Sequence, residues 1–374
     1  MEVAELRRDP EQALLAETAR GEVVWVTAGS RRLLLVSSPA GAREVLVERA
    51  GELAKPRSQA IPLGGGPIAL PGEGVAQLRR ELSKGMGADR AEETAALLAA
   101  AADWADGDTF PLMPWLRPRV ARAVVGGAFA SRLSDDEVAR LAEIVRKAGE
   151  APRVSRGGPG LRSVTRPFRD AQISLVVGSL LANADLSRPS ELSAVADLPP
   201  RERQALAGEL LLGAIGPLVQ ESGWLLYRLG TEAPPNDAEA FVREVTRLHP
   251  TNPLIVRVAT ADTSVGVEPV AKGSLVVVHV APLHRDPAVF EEPERFRPER
   301  WLDGRTAEHR FSYAAFGIGD RRCLGEAIAM RSLVALLEAT REWELSFAAV
   351  DVAARGRRQL SDDVRVTVTR RPAP

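Results

Sequence analysis

The sequence has one cysteine in 374 residues, Cys323, inside the stretch FGIGDRRCLG (316–325). A lone thiol excludes an internal disulfide framework and any cysteine-rich zinc site. Gly317 and Gly319 let the backbone turn tightly or approach a flat group, and Gly325 gives the following segment the same freedom. The residues after the cysteine, LGEAIAMRSLVALLEATREW, have a helical pattern, which puts the sulfur at a helix N-terminus. Free amide N–H groups and the positive end of the helix dipole favour thiolate over thiol there, and Arg321 and Arg322 push the same way. Such a thiolate suits a nucleophile or a metal ligand; the ordinary alternative is a buried structural cysteine. A nucleophile needs a basic partner, and the four histidines, His249, His279, His284 and His309, carry no recognisable nucleophile motif.

The elements that must position this thiol read as helices with small patches of sheet. EVVWVTAGSRRLLLV predicts a hairpin, Val23 to Val26 and Leu33 to Val36 around Gly29, and AGAREVLVERAG a helix. Helical patterns cover Val75 to Trp104, RPRVARAVVGGAFA, and SDDEVARLAEIVRKA with Ser134 as N-cap. The Gly-, Pro- and Arg-rich run from 149 to 169 reads as a mobile loop. Leu198 to Leu229 predicts one helix of about 45–50 Å, long enough to cross the protein. SLVVVHV (274–280) and DVRVTVTR (363–370) read as strands. Apolar residues make up 45%, charged residues 26%, and the formal net charge is −1, so a sizeable core forms and nucleic acid is not an expected partner. The N-terminal stretch is polar and amphipathic, and no apolar run reaches the ~18–20 residues of a membrane span. The expectation is a mainly α protein with small β-sheets, a single domain over 1–374, soluble and cytoplasmic, without a membrane and as a monomer.

The spacing of Phe316, Gly319, Arg321, Cys323 and Gly325 forms an FxxGxRxCxG loop that resembles the haem-binding loop of the cytochrome P-450 family. Three further pieces agree in chain order. Glu244 and Arg247 in EVTRLHP match the family's ExxR pair, HRDPAVFEEPERFRPERW (284–301) resembles the stretch after it, and Arg300 there completes a buried triad with Glu244 and Arg247. ExxR alone says little, because helices are full of such pairs; its place ahead of the cysteine loop makes it informative. The resemblance runs over nearly the whole chain, weakest before residue 70 and from about 145 to 195. It implies haem b (protohaem IX) with Cys323 as the iron ligand, and Phe316, Gly319, Arg321, Leu324 and Gly325 around it. The family places propionate partners at Arg79, Arg257 and Arg321; guanidinium suits carboxylate geometry. A histidine common in the family four residues before Arg79 is Val75 here, so one contact is lost.

The largest departure lies in the long helix. The family carries an acid and an alcohol, as in AGxET, which relay protons over the distal side of the haem. Alignment on GWLLYRL puts GAIGPLVQESGW (213–224) in that register, with Gly216 for the acid and Pro217 for the alcohol. Neither donates a proton, and Pro217 also removes the amide that would bond to the Gly213 carbonyl, at about 3 kcal/mol and with an expected kink. Gln220, four residues after Gly216, is the replacement candidate on nearly the same face. Thr251 and Asn252, ahead of a strand through Leu254 and Ile255, are candidates to reach the pocket, along with Gly213.

The loop from Lys55 to Gly74 is expected to cover the haem with Ile61, Leu63, Ile68 and Leu70. Its GGGPIA is not a dinucleotide fingerprint, because no strand precedes it. Arg153, Arg156, Arg162, Arg166 and Arg169 border the access channel by family analogy, although a solvated surface explains them more simply. The resemblance implies an oxidoreductase on a small-molecule substrate, placed in secondary-metabolite biosynthesis with atypical distal chemistry. Alternatives are a conventional monooxygenase fed by a ferredoxin-type electron donor with substrate-assisted proton delivery, peroxide-driven oxidation, radical coupling, dehydration, nitrene-type transfer from an N–O substrate, and a non-enzymatic haem sensor or carrier.

Overall fold

The computed structural model describes residues 10–28, 31–56, 73–100, 102–150, 162–188, 190, 192–193, 196–233, 235–304, 309–348 and 360–372. Ile61, Leu63, Ile68, Leu70, Arg153 and Arg156 lie outside the described residues. Helix α1 (Pro10–Thr18) precedes the expected hairpin, β1 (Val23–Ala28) and β2 (Arg31–Val36), paired with Val23 opposite Val36. Ser38 caps α2 (Pro39–Arg43) by accepting from the Gly41 amide, and the chain runs on into a π-helical turn at Glu44–Glu48, then β3 (Leu53–Ala54). The pattern read as continuous from Val75 to Trp104 is two helices, α3 (Glu73–Gly85) and α4 (Ala88–Ala99), because Gly87 between them is extended. Residues 73–74, read as the end of a loop, already belong to α3.

After β4 (Thr109–Pro111) come α5 (Leu112–Gly126) and α6 (Asp135–Glu150). Ser134 caps α6 as expected, in a reciprocal box: its amide donates to Glu137 Oε2 at 2.8 Å while the Glu137 amide donates back to Ser134 Oγ at 3.4 Å. Helix α7 (Arg162–Ala182) corrects the loop expected over 149–169, which is helical from Arg162 onward. The buried Ile173, Val176, Val177 and Leu180 explain this, since their helical spacing gives the segment an apolar face to pack, whereas the glycines of the 149–169 run end at Gly160 and only Pro167 falls within the helix. Helix α8 (Pro200–Thr231) has 32 residues and continues through Pro217 without a break. Beyond it come α9 (Ala238–Leu248), β5 (Leu254–Ala259), β6 (Thr263–Val265), β7 (Glu268–Val270), β8 (Leu275–His279) and α10 (Val280–Leu283). The last elements are α11 (Glu326–Ala339), β9 (Trp343–Phe347) and β10 (Arg365–Arg370).

Among the described residues the strands form a five-stranded sheet, β1-β2-β8-β5-β3, a three-stranded sheet, β4-β10-β9, and the pair β6-β7. All pairings are antiparallel except β2 with β8. The largest apolar core surrounds α8, whose Leu211, Ile215 and Leu225 pack with Leu116 and Val120 of α5 and Leu333 and Leu336 of α11. A second core lies on one face of the five-stranded sheet, where Leu34, Ile255 and Val278 meet Leu46, Ala314 and Ile318. Two residues of the cysteine approach, Ala314 and Ile318, are thereby seated against the sheet and the π-helical turn.

Between these cores sits a buried charge cluster. Glu244 and Arg247 of α9 have fully buried side chains. Arg247 donates through Nε to Glu244 Oε2 at 2.9 Å and through Nη2 to Oε1 at 2.8 Å. Arg300 Nε adds a bond to Oε1 at 3.1 Å, the Arg297 amide another at 2.9 Å, and Trp301 Nε1 donates to Oε2 at 3.0 Å. Burial pushes the Glu244 carboxyl upward, but its bonds and charges from Arg247, with the Arg297 amide and Arg300, outweigh that and hold it below the ordinary range. Arg247 spends its remaining donors on the carbonyls of His284 and Pro293, each at 2.7 Å. Removal of one member leaves the other charge buried and uncompensated, at about 3–5 kcal/mol, whereas an exposed pair is worth about 1 kcal/mol or less. Arg247→Met is therefore expected to lower the denaturation midpoint severely, and Arg295→Ala, which removes an exposed pair with Glu292, to leave it nearly unchanged. Equal losses in the two variants, measured by chemical denaturation, would contradict this.

Candidate functional site

The charge cluster holds the cysteine loop through two contacts. Tyr313 Oη and Thr246 Oγ1 lie 2.6 Å apart. The Ala314 amide donates to His284 Nε2 at 2.8 Å, so the His284 proton is on Nδ1, which donates to the Arg247 carbonyl at 2.6 Å. Burial, first, and then the neighbouring arginines push the His284 imidazole down to about 3, so it stays neutral as this tautomer requires. From Ala314 the chain makes a turn closed by the Gly317 amide on the Ala314 carbonyl at 3.0 Å, then a 3-10 turn at Gly319–Arg321. The Cys323 amide donates to the Phe316 carbonyl at 2.7 Å, which closes the loop.

Gly317 and Gly319 both take positive φ, +76° and +73°. At Gly319 a Cβ would also overlap the Leu46 carbonyl oxygen, so the π-helical turn and the cysteine loop touch backbone to backbone. Cys323 is exposed, three residues ahead of α11, and Gly325 is the N-cap residue of that helix, with room for a Cβ 3.9 Å from the sulfur. Cysteine is among the residues most often buried, so an exposed thiol on a glycine-built loop is a surface prepared for something else. Among the described residues no group of three or more His, Cys, Asp or Glu could hold a bare metal ion.

Cations gather beside the thiol. Arg79 donates to the Arg322 carbonyl, and its guanidinium is pushed down by burial and then by Arg321, against the opposing pull of Cys323. Arg257 is buried, bonds to the Val256 carbonyl at 3.1 Å, and is lowered to about 10 by burial and then by Arg321, with no acidic group among the causes. Lys55, just after β3, is lowered by burial and by Arg257, Arg321 and Arg79, with Glu209 opposing. The sequence reading placed three cations here and missed this fourth, which stood only as the boundary of a loop. Four cations that repel one another at a half-buried site call for anions between them. A flat dianionic group lying on the glycine loop meets that demand, and haem is such a group, so the residues present fit it. Arg322, expected to favour the thiolate, pairs mainly with Glu326, Nη2 to Oε1 at 2.6 Å, and Cys323 contributes less to its raised pKa.

The distal candidates lie on one stripe of α8. Glu209, Gly213, Gly216 and Gln220 follow at spacings of four, three and four, so they share a face. No atom lies within 4 Å of where a Cβ would stand at Gly213 or Gly216, so the stripe is open at its centre. Pro217 is exposed and Gln220 is buried. Glu209 was not among the expected site residues, although a lone acid inside ALAGELLLGAIG, one turn before Gly213, is a visible signal. It is buried, its Oε2 has no hydrogen-bond partner, and burial pushes its carboxyl up to about 7 despite Lys55.

Glu221, on a neighbouring face, accepts the Thr251 amide at 3.2 Å, which ties Thr251 to α8, while Asn252 is exposed. Strand β5 sends its candidates to opposite faces because side chains alternate. Ile255 shares the face of Arg257 and packs with Leu46 and Ile318, whereas Leu254 packs beside Leu14, Val26 and Leu33 on the other side of the sheet.

Two expectations follow. Gly319→Ala combines a left-handed backbone with an overlap on Leu46, and Gly317→Ala has only the backbone cost of about 1 kcal/mol, so Gly319→Ala is the more damaging in thermal unfolding. Equal losses would contradict the backbone contact. Burial pushes the Glu221 carboxyl up to about 8, with the Thr251 bonds opposing. A carboxyl raised above its unfolded value contributes fully at low pH and loses that contribution as pH climbs through the folded value. Stability should therefore fall between about pH 5 and pH 8, and Glu221→Gln should flatten that slope in urea titrations at several pH values. An unchanged slope would contradict it.

A family model described as "Cytochrome P450" matches residues 238–345, from the start of α9 through the cysteine loop and α11. Cytochrome P450 93B16 of Glycine max is 35% identical over 138 residues, 35% of this chain and 26% of that protein. Putative cytochrome P450 137 of Mycobacterium tuberculosis (strain ATCC 25618 / H37Rv) is 39% identical over 113 residues, 30% of this chain and 23% of that protein. The matched stretches thus span about a quarter of those relatives' length. The fold is similar from end to end to Cytochrome P450EX alpha (CYP152N1), solved with myristic acid, with a TM-score of 0.83 at 16% identity over 99% of this chain and 98% of that one. Cytochrome P450SP alpha (CYP152B1), solved with (R)-ibuprophen, gives a TM-score of 0.80 at 19% identity and 98% coverage of both chains. The ExxR cluster and the glycine-built cysteine loop thus lie within the segment that matches the cytochrome P450 family model, and the chain shares the fold of solved cytochromes P450.

Proposed function

We propose that the protein is a haem-thiolate oxidoreductase acting on a small molecule, with distal chemistry that departs from the family's usual proton relay. The observation that carries this reading is the exposed Cys323 thiol on its glycine loop, with Lys55, Arg79, Arg257 and Arg321 gathered beside it. Haem b, when bound, supplies a redox-active iron ligated by the Cys323 thiolate. The chain's own residues do the rest. The loop from Phe316 to Gly325 presents the sulfur, the start of α11 and Arg79 favour its anionic form, and the four cations would hold the propionates. Domain 1–374 acts as one unit, as a cytoplasmic monomer in secondary-metabolite biosynthesis.

The α8 stripe supports the departure. Gly216 and Pro217 offer no side-chain proton, and Pro217 offers no amide N–H. The next polar group on the stripe is the buried Gln220, and the Thr251 amide is already engaged by Glu221. Protons reach the reacting centre from water that Gln220 orients, or from the substrate's own hydroxyls, or the reaction needs none. The molecules bound to the two structural neighbours, myristic acid and (R)-ibuprophen, are small and mostly apolar, a class that suits an open glycine stripe between apolar flanks. A second reading, a conventional monooxygenase fed by a ferredoxin-type donor, draws on the family-typical cysteine loop and needs a substrate that delivers its own proton.

Mass spectrometry of a small-molecule extract separates the two. The extract is incubated with enzyme under heavy-isotope dioxygen plus reductant and, in parallel, without oxygen. Atypical chemistry predicts conversion without oxygen, or poorly coupled incorporation that worsens when Gln220, Thr251 or Asn252 is replaced. Well-coupled heavy-atom incorporation indifferent to those replacements would overturn it.

A further inference from the structure

Glu209 is the buried acid on the α8 stripe, and neither the haem fit nor the distal argument uses it. It is 7% exposed, and its Oε2 has no hydrogen-bond partner. A polar atom buried without a partner costs about 1–3 kcal/mol, so such groups in folded proteins usually meet a ligand or a water. The positions one and two turns further on, Gly213 and Gly216, are open where a side chain would be, so the carboxyl stands at one end of an unfilled stripe. Lys55 faces it from the segment after β3, and its charge acts on the carboxyl without a hydrogen bond to Oε2.

Distance decides what the carboxyl can do. Seven residues separate Glu209 from Gly216, about 10 Å along the helix axis. No side chain crosses that gap, so Glu209 cannot stand in for the missing acid at Gly216. A substrate lying along the stripe can, with its reacting end beside Gly216 and its far end at Glu209. Lys55 and the three arginines behind it oppose an ammonium there, and the carboxyl itself opposes a carboxylate. The group that remains is a neutral donor.

We propose that Glu209 is a substrate-anchoring residue that accepts a hydrogen bond from a hydroxyl or amide N–H on the substrate, about 10 Å along α8 from the Gly216–Pro217 segment. The proposal rests on the haem-thiolate reading, since the reacting end of the stripe is defined by it. It gives the site a substrate class: elongated, mostly apolar molecules with a polar donor at the end remote from the reaction. Burial, which keeps the carboxyl partly protonated near neutrality, lets it accept such a bond without a full buried charge.

N-alkylimidazoles serve as probes because the imidazole reports its own binding to the haem iron in the absorption spectrum. Matched chains ending in a methyl, a hydroxyl or a carboxylate are titrated into the holoenzyme across a range of lengths. The hydroxyl chain should bind wild type about fivefold to tenfold tighter than the methyl chain at one best length, as one well-made hydrogen bond allows. Glu209→Leu should erase that preference while imidazole itself binds as before. Replacing an unpartnered buried carboxyl by an apolar group is compatible with folding, and Glu209→Gln, which keeps an acceptor oxygen, should retain part of the preference and guards against a misfolded leucine variant. A hydroxyl preference that survives in Glu209→Leu, no preference at any length, or tighter binding of the carboxylate chain would overturn the anchor. A wild-type holoprotein whose spectrum fails to respond to imidazole itself would instead overturn the haem-thiolate reading, and the anchor with it.

Discussion

One carboxylate, that of Glu244, organises the half of the molecule that carries the chemistry. It is sealed from solvent and takes five hydrogen bonds, from Arg247, Arg300, Trp301 and the Arg297 backbone. Burial of an ion is costly unless every lone pair is engaged, and here the donors come from α9 and from a loop some fifty residues later. The cluster therefore fixes the relation of two distant segments. His284 passes that relation on, because one ring nitrogen binds the Arg247 carbonyl and the other the Ala314 amide at the mouth of the cysteine loop. Backbone contacts thus set the course of the loop that carries Cys323.

The distal side follows a different rule. Helix α8 crosses the largest core and is held there by Leu211, Ile215 and Leu225, so its course does not depend on the residues facing the site. The helix accordingly runs unbroken through Gly216 and Pro217. The lost amide of Pro217 is a local cost of about 3 kcal/mol, small against the apolar burial along 32 residues.

Much of this was legible in the sequence because its signals are local. The hairpin, the Ser134 cap and the long helix each follow from residues within a few positions, and ExxR with FxxGxRxCxG carries the family. The misreadings have physical causes. Val75 to Trp104 looked continuous because a single extended glycine, Gly87, splits it, and 149–169 looked like a loop because its Gly-Pro half outweighed the apolar face that begins in α7. Leu254 and Ile255 were grouped as neighbours in sequence, whereas a strand's period of two sends them to opposite sides. Lys55 and Glu209 escaped because their meaning is pairwise. Lys55 carries no local signal, and the lone acid Glu209 in an apolar run is visible but acquires meaning only from its burial and the approach of Lys55 from a distant element.

The most direct test of Cys323 as the iron ligand is the carbon monoxide spectrum of the reduced holoprotein, compared with that of Cys323→Ser. Thiolate ligation predicts a strongly red-shifted band in wild type that the serine variant lacks. The same band in Cys323→Ser, or its absence from a wild type with haem bound, would contradict the assignment.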